Sequence, residues 1–380
     1  MSEARPLRVL HLHSTFSPGG KELRAAKLMN AFGSGAQHVV VSGVPGELGA
    51  ASAVDQEIAV SYPDDFPSLI GKPGPLRWWR IARAMQAFDL VLTYNWGSMD
   101  AAGARWLYRH VLRLPPLIHH EDGFNTDEAQ GLKPVRNRFR RLTLRAAAAT
   151  IVPSKVLEEI ALTVWRVPAA RLKRIPNGIA LGEYQDGAVA ALPGLTKRDG
   201  RLWLGTMAGL RAVKNLPRLV RAFAALPDAW ELVIVGEGPE RAAIRTEAER
   251  LGIAERVHLP GFAANPAAVL PLFDLFALSS DSEQFPISVV EAMAAGLAVV
   301  SPAVGDVAAI VAPQNLPLIA PPGDEAALAN ALQQAAADPD LRAAMGRANR
   351  ARALAEFGEE AMIAAYCKAY GAALGRGTFP

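Results

Sequence analysis

The stretch EQFPISVVEAMAAGLAVVSP, residues 283–302, carries a helix signal followed directly by a strand signal. Pro286 suits the first turn of a helix, where its missing backbone N–H would have no intrahelical partner. Gly296 suits the position after a helix, because glycine readily adopts the left-handed conformation that ends many helices. The apolar run that follows is typical of a strand buried in a parallel sheet. We therefore predict a helix, a tight turn and a buried strand.

Two carboxylates accompany this unit. Glu283 lies in the loop before the predicted helix, and Glu291 lies inside the helix among aliphatic residues. An ionised acid in apolar surroundings needs hydrogen-bond donors, which the diol of a ribose supplies. The free N–H groups at the start of a helix attract anions such as a pyrophosphate. This pattern predicts a sugar-nucleotide site, but it also fits a Glu291 that faces a solvent groove or pairs with a cation.

The rest of the chain alternates short apolar runs with amphipathic segments, first within residues 8–154 and again within residues 201–302. Because such alternation is typical of parallel sheets, we predict two doubly wound, Rossmann-like α/β domains. At 380 residues the chain is also too long for one hydrophobic core. The predicted parts are a first domain at 1–180, a linker at 181–200, a second domain at 201–355, and a C-terminal helix at 359–374 that packs back on the first domain.

Composition places the chain among folded proteins of a reducing compartment. Hydrophobic residues make up 51% and charged residues 20% of the sequence, which excludes an intrinsically disordered chain. The single cysteine, Cys367, excludes a disulfide framework. The N-terminal apolar run is too short for a signal peptide, and no window reaches the roughly 18–20 apolar residues of a spanning helix. We therefore expect a cytoplasmic protein.

Positive charge is concentrated in the first half of the chain. Residues 1–180 contain 23 Lys and Arg against 15 Asp and Glu, whereas the remainder contains 17 against 22. The excess lies in three segments, 76–83, 105–113 and 133–145, where arginine alternates with aromatic residues. Such helices suit an anionic membrane surface, and they equally suit a solvated basic face with the rings turned inward. Because no nucleic-acid recognition module is present, we expect no nucleic-acid partner.

Two loops that follow predicted strands are candidates for phosphate contacts. Arg211 and Lys214 follow the strand that opens the second domain. Fixed cations at this place would stabilise the charge of a departing diphosphate, although two solvated loop cations give the same pattern. Gly19 and Gly20 follow the first strand, where adjacent glycines either let the backbone approach a ligand closely or simply form a tight turn.

The pattern E-x7-E ahead of EAMAAGLAVV, with the other motifs in the same order, resembles the retaining glycosyltransferases of GT-B architecture, the large family four. The resemblance covers most of the chain. It implies two α/β domains that face each other across a cleft, with the nucleotide-sugar donor bound on the second. It further implies that Glu283 binds hydroxyls of the donor sugar and that Glu291 binds the ribose. The backbone amides of Ile287 and Ser288 are then expected near the phosphates.

Further roles follow from the same resemblance. Arg211 and Lys214 match the family's diphosphate clamp, and the glycine loop matches one that faces the phosphate and the acceptor. A histidine of LIHHEDGF is expected to touch the donor sugar; His120 is the candidate, with His119 as the alternative register. The full candidate set comprises the catalytic residues Arg211, Lys214, Glu283 and His120, and the donor-binding residues Gly19, Gly20, Gly209, Phe262, Phe285, Pro286, Ile287, Ser288 and Glu291.

The implied activity is retaining transfer of a hexose-type sugar to a saccharide or lipid-linked acceptor, in cell-surface polysaccharide or glycolipid assembly. No metal or other cofactor is expected, because Arg211, Lys214 and the helix terminus supply the positive charge. Consecutive side chains of the HHED run also cannot converge on one ion from a strand. With a lipid-linked acceptor, the basic helices would place the protein on the inner face of the membrane.

Two other classes of protein compete with this interpretation. A non-catalytic sugar-nucleotide or carbohydrate-binding protein on the same fold is the alternative, and the intact set of cations and carboxylates argues against it. A nucleotide-dependent dehydrogenase is disfavoured more strongly, because the chain lacks the G-x-G-x-x-G fingerprint.

Overall fold

The computed structural model describes residues 5–124, 128, 131–184, 192 and 194–380, and within them the chain forms two compact units. Unit 1 comprises Met1–Pro176 and Met362–Pro380, and unit 2 comprises Asn177–Ala361. The division falls after Pro176, inside the predicted first domain, and the predicted linker belongs to unit 2. Each unit is a parallel β-sheet with helices packed against it, which is the fold class that the strand–helix alternation predicts.

The described strands of unit 1 are β1 (Leu7–His13), β2 (Ala36–Ser42), β3 (Val60–Ser61), β4 (Leu90–Tyr94), β5 (Leu117–His120), β6 (Ala149–Val152) and β7 (Leu172–Arg174). They pair in parallel in the order β3-β2-β1-β4-β5-β6-β7. The strand order changes direction between β1 and β4, because β2 and β3 extend the sheet on one side of β1 and β4 to β7 extend it on the other. In doubly wound sheets, ligands bind beyond the carboxyl ends of the strands at such a switch point.

The described strands of unit 2 are β8 (Leu202–Met207), β9 (Trp230–Val235), β10 (Val257–Gly261), β11 (Leu275–Ala277), β12 (Val299–Pro302) and β13 (Ile319–Ala320). They are also parallel, in the order β10-β9-β8-β11-β12-β13. The switch point lies between β8 and β11. The loop that follows β8 carries Arg211 and Lys214, and the loop that follows β11 carries Glu283.

The helices in the described ranges are α1 (Gly20–Phe32), α2 (Pro75–Met85), α3 (Met99–Tyr108), α4 (Pro134–Thr143), α5 (Lys155–Thr163), α6 (Leu216–Phe223), α7 (Arg241–Arg250), α8 (Pro266–Val269), α9 (Ile287–Ala294), α10 (Val307–Ile310), α11 (Glu325–Ala337), α12 (Pro339–Glu356) and α13 (Glu359–Ala373). None of them is both long enough and apolar enough to cross a membrane.

The sheet of unit 1 separates two hydrophobic clusters. Val9 of β1 belongs to the cluster formed with α1 and α13, and its neighbour Leu10 belongs to the cluster formed with α2, α3 and α5. Because successive residues of a strand point to opposite faces, the two clusters lie on opposite sides of the sheet. Strands buried on both faces explain why the sequence shows continuous apolar runs rather than alternation.

All ten strands predicted from the sequence are present, and their ends differ by at most three residues from the predicted ranges 8–15, 38–44, 90–95, 116–122, 149–154, 201–209, 231–238, 257–262, 275–280 and 297–302. The sequence from Asp324 onward also predicts helical structure, and this part of the chain forms α11, α12 and α13. The short strands β3, β7 and β13 lie outside the predicted ranges.

A pair of buried amides links α12 to the sheet of unit 2. Asn349 Nδ2 donates hydrogen bonds to Asn315 Oδ1 and to the carbonyl of Leu297, both at 2.9 Å. Asn349 Oδ1 accepts from the backbone N–H of Ala312 at 3.0 Å, and Asn315 bonds both backbone groups of Val299. Both amides are fully buried, so replacing either one leaves buried backbone groups without a partner.

We predict that Asn349→Leu lowers the free energy of unfolding by about 2–4 kcal/mol, because two buried backbone groups lose their partner. Chemical denaturation followed by circular dichroism measures the change. The matched control is Arg347→Leu on the same helix, whose exposed side chain should change stability by less than about 0.5 kcal/mol. Equal stability of the two variants would contradict the role given to the amide pair.

Candidate functional site

The predicted donor residues of unit 2 gather around the start of α9. The helix begins at Ile287, one residue later than predicted, and Pro286 is its N-cap residue, with φ −70° and ψ 105°. Ser288 follows in the first turn, and both helical residues are half-buried. The first N–H groups of a helix have no intrahelical acceptor and carry the positive end of the helix dipole. This terminus is therefore chemically suited to a phosphate group.

An ion pair joins two candidate catalytic residues beside this helix. Lys214 Nζ lies 2.5 Å from Glu283 Oε1, and the hydroxyl of Ser280 donates to the same oxygen at 2.7 Å. The pair is largely shielded from solvent, since only 15% of the lysine and 10% of the glutamate side chain is exposed. Within the described part of the chain both contacts reach Oε1, so Oε2 remains for a ligand hydroxyl.

Hydrogen bonds between two loops fix the position of Lys214. Ala212–Lys214 forms a single 3-10 turn, and Asn215 follows it in the left-handed conformation that asparagine tolerates better than most residues. Ser279 Oγ donates to the carbonyl of Lys214 at 2.9 Å, and the backbone N–H of Asp281 donates to the carbonyl of Val213 at 2.9 Å. The loop that carries the lysine is thus anchored to the loop that carries the glutamate.

Two close backbone approaches around this pair require glycine. Gly305 has φ +54°, and a Cβ there would lie 2.4 Å from the carbonyl oxygen of Glu283. Gly236 has φ +144°, and a Cβ there would lie 1.9 Å from the carbonyl oxygen of Ala208. The loop that follows β9 therefore packs tightly against the loop that leads to Arg211, so Gly236 has a structural role.

Three further candidates on unit 2 are exposed. Arg211 has an extended backbone just before the 3-10 turn, and its side chain reaches solvent. A Cβ on Gly209 would lie 3.6 Å from Arg211 Nε, so even the smallest side chain would contact the guanidinium. Phe262 is 74% exposed, which leaves an aromatic face open for stacking on a base. Arg211, Gly209 and Phe262 remain candidates for ligand contacts.

Phe285 differs from these residues. It is only 9% exposed and belongs to the hydrophobic core of unit 2, where its ring centroid lies 5.8 Å from that of Phe357. The structure thus corrects the expectation that Phe285 contacts the donor. Its ring faces the core and supports the loop of Glu283 from the inside.

Glu291 is half-buried on α9 and lies near Tyr184. Burial, and then the carboxylate of Glu291, raise the pKa of the Tyr184 phenol. The tyrosine therefore stays protonated and keeps an O–H donor on this side of the helix. No local pattern in the sequence marks Tyr184 as a neighbour of Glu291, because 107 positions separate the two residues.

His120 lies in the interior of unit 1, and the expectation that it touches a donor sugar is corrected. The residue is 1% exposed, with Nδ1 3.2 Å from the carbonyl oxygen of Thr93 and Nε2 2.9 Å from the hydroxyl of Tyr370. Its ring also stacks on Tyr94, with centroids 4.6 Å apart. Both ring nitrogens are engaged by protein partners. His119 is no substitute, because it is also fully buried and its Nδ1 lies 2.9 Å from Thr93 Oγ1.

The glycine loop of unit 1 lies at the carboxyl end of β1, as predicted. Gly19 is the N-cap residue of α1 and has an extended backbone, and Gly20 is the first residue of the helix. A Cβ on Gly19 would lie 2.8 Å from Glu22 Oε2. Glycine therefore makes room for the buried Glu22, which forms an ion pair with Lys21.

Another ion pair, between residues 98 positions apart, ties α1 to the loop after β5. The two terminal nitrogens of Arg24 lie 2.5 and 2.8 Å from the two oxygens of Asp122, a bidentate arrangement. Burial acts to raise the pKa of Asp122, but the adjacent guanidinium lowers it overall. Asn95 Oδ1 also accepts the backbone N–H of Asp122 at 2.8 Å. The only signal in the sequence was an acid directly after a buried strand.

The other acid of the HHED run has a different partner. Glu121 Oε2 lies 3.0 Å from Nε of Arg140, and both residues are fully buried. The guanidinium lies 5.0 Å from the ring of Trp165 and 5.1 Å from that of Trp96. Glu121 and Asp122 thus bind different arginines. Among the described residues, no three His, Cys, Asp or Glu side chains could together hold a metal ion.

Comparison with known proteins gives two family matches. Residues 18–183 match the family Glycosyltransferase Family 4, and residues 193–352 match the family Glycosyl transferases group 1. The first match lies mainly in unit 1 and the second lies in unit 2.

Individual relatives agree with these matches. The D-inositol 3-phosphate glycosyltransferase of Segniliparus rotundus is 32% identical over 309 residues, which are 75% of this chain and 66% of that protein. The 2-deoxystreptamine glucosyltransferase of Streptomyces kanamyceticus is 30% identical over 238 residues, 59% of this chain and 60% of that protein. The chain spans between 42% and 66% of the length of the curated relatives it matches.

A solved structure shows the same fold. Anabaena HepE, determined in complex with UDP and glucose, superposes with a TM-score of 0.74 at 21% identity, covering 94% of this chain and 97% of that one. The two parallel α/β units therefore have the GT-B fold.

We predict a pH dependence of stability that arises from His120. Burial lowers its pKa to about 3, against 6.5 for an ordinary histidine. As the pH falls, the unfolded state therefore takes up the proton before the folded state does. The free energy of unfolding is highest above about pH 6.5 and decreases as the pH falls below that value. Between pH 7 and pH 5 the residue should lower the free energy of unfolding by about 2 kcal/mol.

Chemical denaturation of His120→Asn at both pH values tests this prediction. The variant should lose less stability on acidification than the wild type, whatever its stability at pH 7. His110→Asn, at an exposed position, serves as the control and should keep the wild-type slope. An unchanged slope in His120→Asn would mean that the buried ring does not set the pH dependence.

Proposed function

We propose, since the chain belongs to the family-four glycosyltransferases of GT-B fold, that it is a retaining hexosyltransferase. Its donor is a nucleotide sugar, and its acceptor is a saccharide or a lipid-linked saccharide of cell-surface polysaccharide or glycolipid assembly. The observation that carries the proposal is the shielded ion pair of Lys214 and Glu283 beside the start of α9. The enzyme acts in the cytoplasm.

The donor diphosphate binds at the positive end of α9. Lys214 Nζ has three N–H donors, and Glu283 takes one of them, so a phosphate oxygen accepts another. Arg211 adds a guanidinium fork, and the amides of Ile287 and Ser288 add the helix terminus. Because the lysine is largely shielded from water, its attraction for the diphosphate exceeds that of an exposed cation. We propose that this positive charge makes a metal ion unnecessary.

The two carboxylates bind the two sugars of the donor. Oε2 of Glu283 accepts a hydrogen bond from a hydroxyl of the transferred hexose, while Lys214 and Ser280 hold Oε1 of the same carboxylate in place. Glu291, one turn after the start of α9, accepts hydrogen bonds from the two hydroxyls of the ribose. A group that orients the reacting sugar contributes to the rate, because transfer depends on the alignment of the anomeric carbon with the acceptor.

In the reaction, the bond between the anomeric carbon and the phosphate oxygen breaks, and the acceptor oxygen bonds to the same face of that carbon. The leaving phosphate takes the acceptor proton, so configuration is retained without a covalent intermediate on the enzyme. Lys214 and Arg211 stabilise the charge that develops on the diphosphate. His120 has no part in this scheme, because its ring is buried.

Three kinds of likeness support the proposal. Both family matches are to glycosyltransferases, and the relatives named above are glycosyltransferases by name. The fold neighbour HepE was solved with UDP and glucose, which supports a nucleotide-sugar donor for this chain.

We predict that Lys214→Ala and Glu283→Ala each reduce transfer by at least about 100-fold, since each removes a group that acts on the diphosphate or the sugar. A thermal-shift screen with UDP-, GDP- and ADP-sugars first identifies the donor. Release of the nucleoside diphosphate in the presence of acceptor then measures turnover. Arg245→Ala, an exposed arginine of unit 2, is the control and should keep wild-type activity.

Near-normal turnover in either variant, with an unchanged melting temperature, would contradict the assignment. Donor binding without transfer and without slow donor hydrolysis would instead favour a non-catalytic sugar-nucleotide-binding protein.

A further inference from the structure

The outer face of α2 in unit 1 is both apolar and basic. Leu76 is 65% exposed and Trp79 is 44% exposed, although side chains of this type are usually buried. Arg80 and Arg83 share the same face at the spacing of one helical turn, and both are exposed. The guanidinium of Arg83 lies 5.8 Å from the ring of Trp79. The opposite face of α2 packs into the hydrophobic core.

The outer face of α4 repeats this composition. Val135 is 76% exposed and Leu142 is 43% exposed, one on each side of the exposed Arg138. Arg145, in the turn after the helix, continues the same row. The inward side of α4 carries Arg140, which is buried against aromatic rings and carboxylates.

The two outer faces belong to one layer of helices. Helix α3 lies between α2 and α4 and packs against both. Trp78 of α2 and Phe139 of α4 meet over Gly103 of α3, with ring centroids 5.7 Å apart. The hydroxyl of Tyr108 also bonds the carbonyl of Pro75 at 2.9 Å. We refer to the exposed sides of α2 and α4 together as the basic apolar face.

Positive charge dominates this layer of helices. Segments 66–87, 101–116 and 131–146 together contain thirteen Lys and Arg and no Asp or Glu. The acid of α3, Asp100 in its first turn, pairs with the largely shielded Arg77 of α2. Among the described residues, the arginines of the basic apolar face have no acidic partner. Their charge is therefore left for an external anion.

We propose that the basic apolar face adsorbs unit 1 onto an anionic lipid bilayer. Arginines attract the headgroups, while exposed leucine, valine and tryptophan side chains enter the boundary between headgroups and acyl chains. Tryptophan favours this boundary because its ring is apolar and its N–H is polar. The proposal adds a partner to the proposed function without resting on it, since adsorption needs neither donor nor acceptor.

Other partners fit the face less well. A nucleic acid would satisfy the arginines and stack on Trp79, but it offers no apolar medium for Leu76 or Val135. A second copy of the chain would bring like charges together. An anionic bilayer satisfies both the charge and the apolar surface.

Co-sedimentation with vesicles at low salt tests the proposal on the full chain. We expect binding to vesicles that contain phosphatidylglycerol and little binding to vesicles of pure phosphatidylcholine. Arg80→Gln combined with Arg138→Gln should weaken the binding roughly 30-fold, at about 5-fold per arginine. Leu76→Gln combined with Trp79→Gln, which keeps the charge, should also weaken it. Circular dichroism confirms that each variant is folded.

The matched control is Arg245→Gln combined with Arg347→Gln, which removes two exposed arginines of unit 2 and should bind like the wild type. Equal binding to both kinds of vesicle, or an equal loss in the control, would overturn the proposal. So would binding to a DNA duplex that is tighter than binding to the anionic vesicles and is lost in the same variants. A chain that binds these vesicles but no nucleotide sugar would uphold this proposal and contradict the preceding one.

Discussion

The ion pair between Lys214 and Glu283 depends on two loops that lie far apart in the sequence and side by side in unit 2. Those loops follow β8 and β11, which are neighbours at the point where the strand order reverses. Backbone hydrogen bonds and the close approach of Gly305 hold them together. A cation and a carboxylate shielded in this way are already positioned before any ligand arrives, which is the condition for strong electrostatic stabilisation of a transition state.

The buried polar residues of unit 1 have a structural role. His120 and Tyr370 bond each other inside the unit, so α13 is fixed to the sheet that starts the chain. The buried pair of Arg24 and Asp122 ties the glycine-loop helix to the end of β5. These groups stabilise the framework around the carboxyl end of the sheet, and their burial explains why histidine there does not imply a ligand contact.

Local sequence patterns were sufficient to predict the features that depend on neighbouring residues. The parallel strands, the start of α9 within one residue, and the placement of Lys214 and Glu283 in strand-end loops all follow from periodicity and from the chemistry of helix termini. Prediction from the sequence failed where the burial of a side chain depends on a residue that is distant in the sequence. The burial of His120 depends on a tyrosine 250 positions away, and the inward ring of Phe285 depends on Phe357. No local pattern encodes such contacts.

The most direct test is a crystal structure of the chain with the nucleoside diphosphate of its donor. The account predicts that a phosphate oxygen lies within about 3 Å of Lys214 Nζ and of the first amides of α9, and that Glu291 accepts the ribose hydroxyls. A diphosphate bound elsewhere, with Lys214 still held by Glu283 alone, would contradict it.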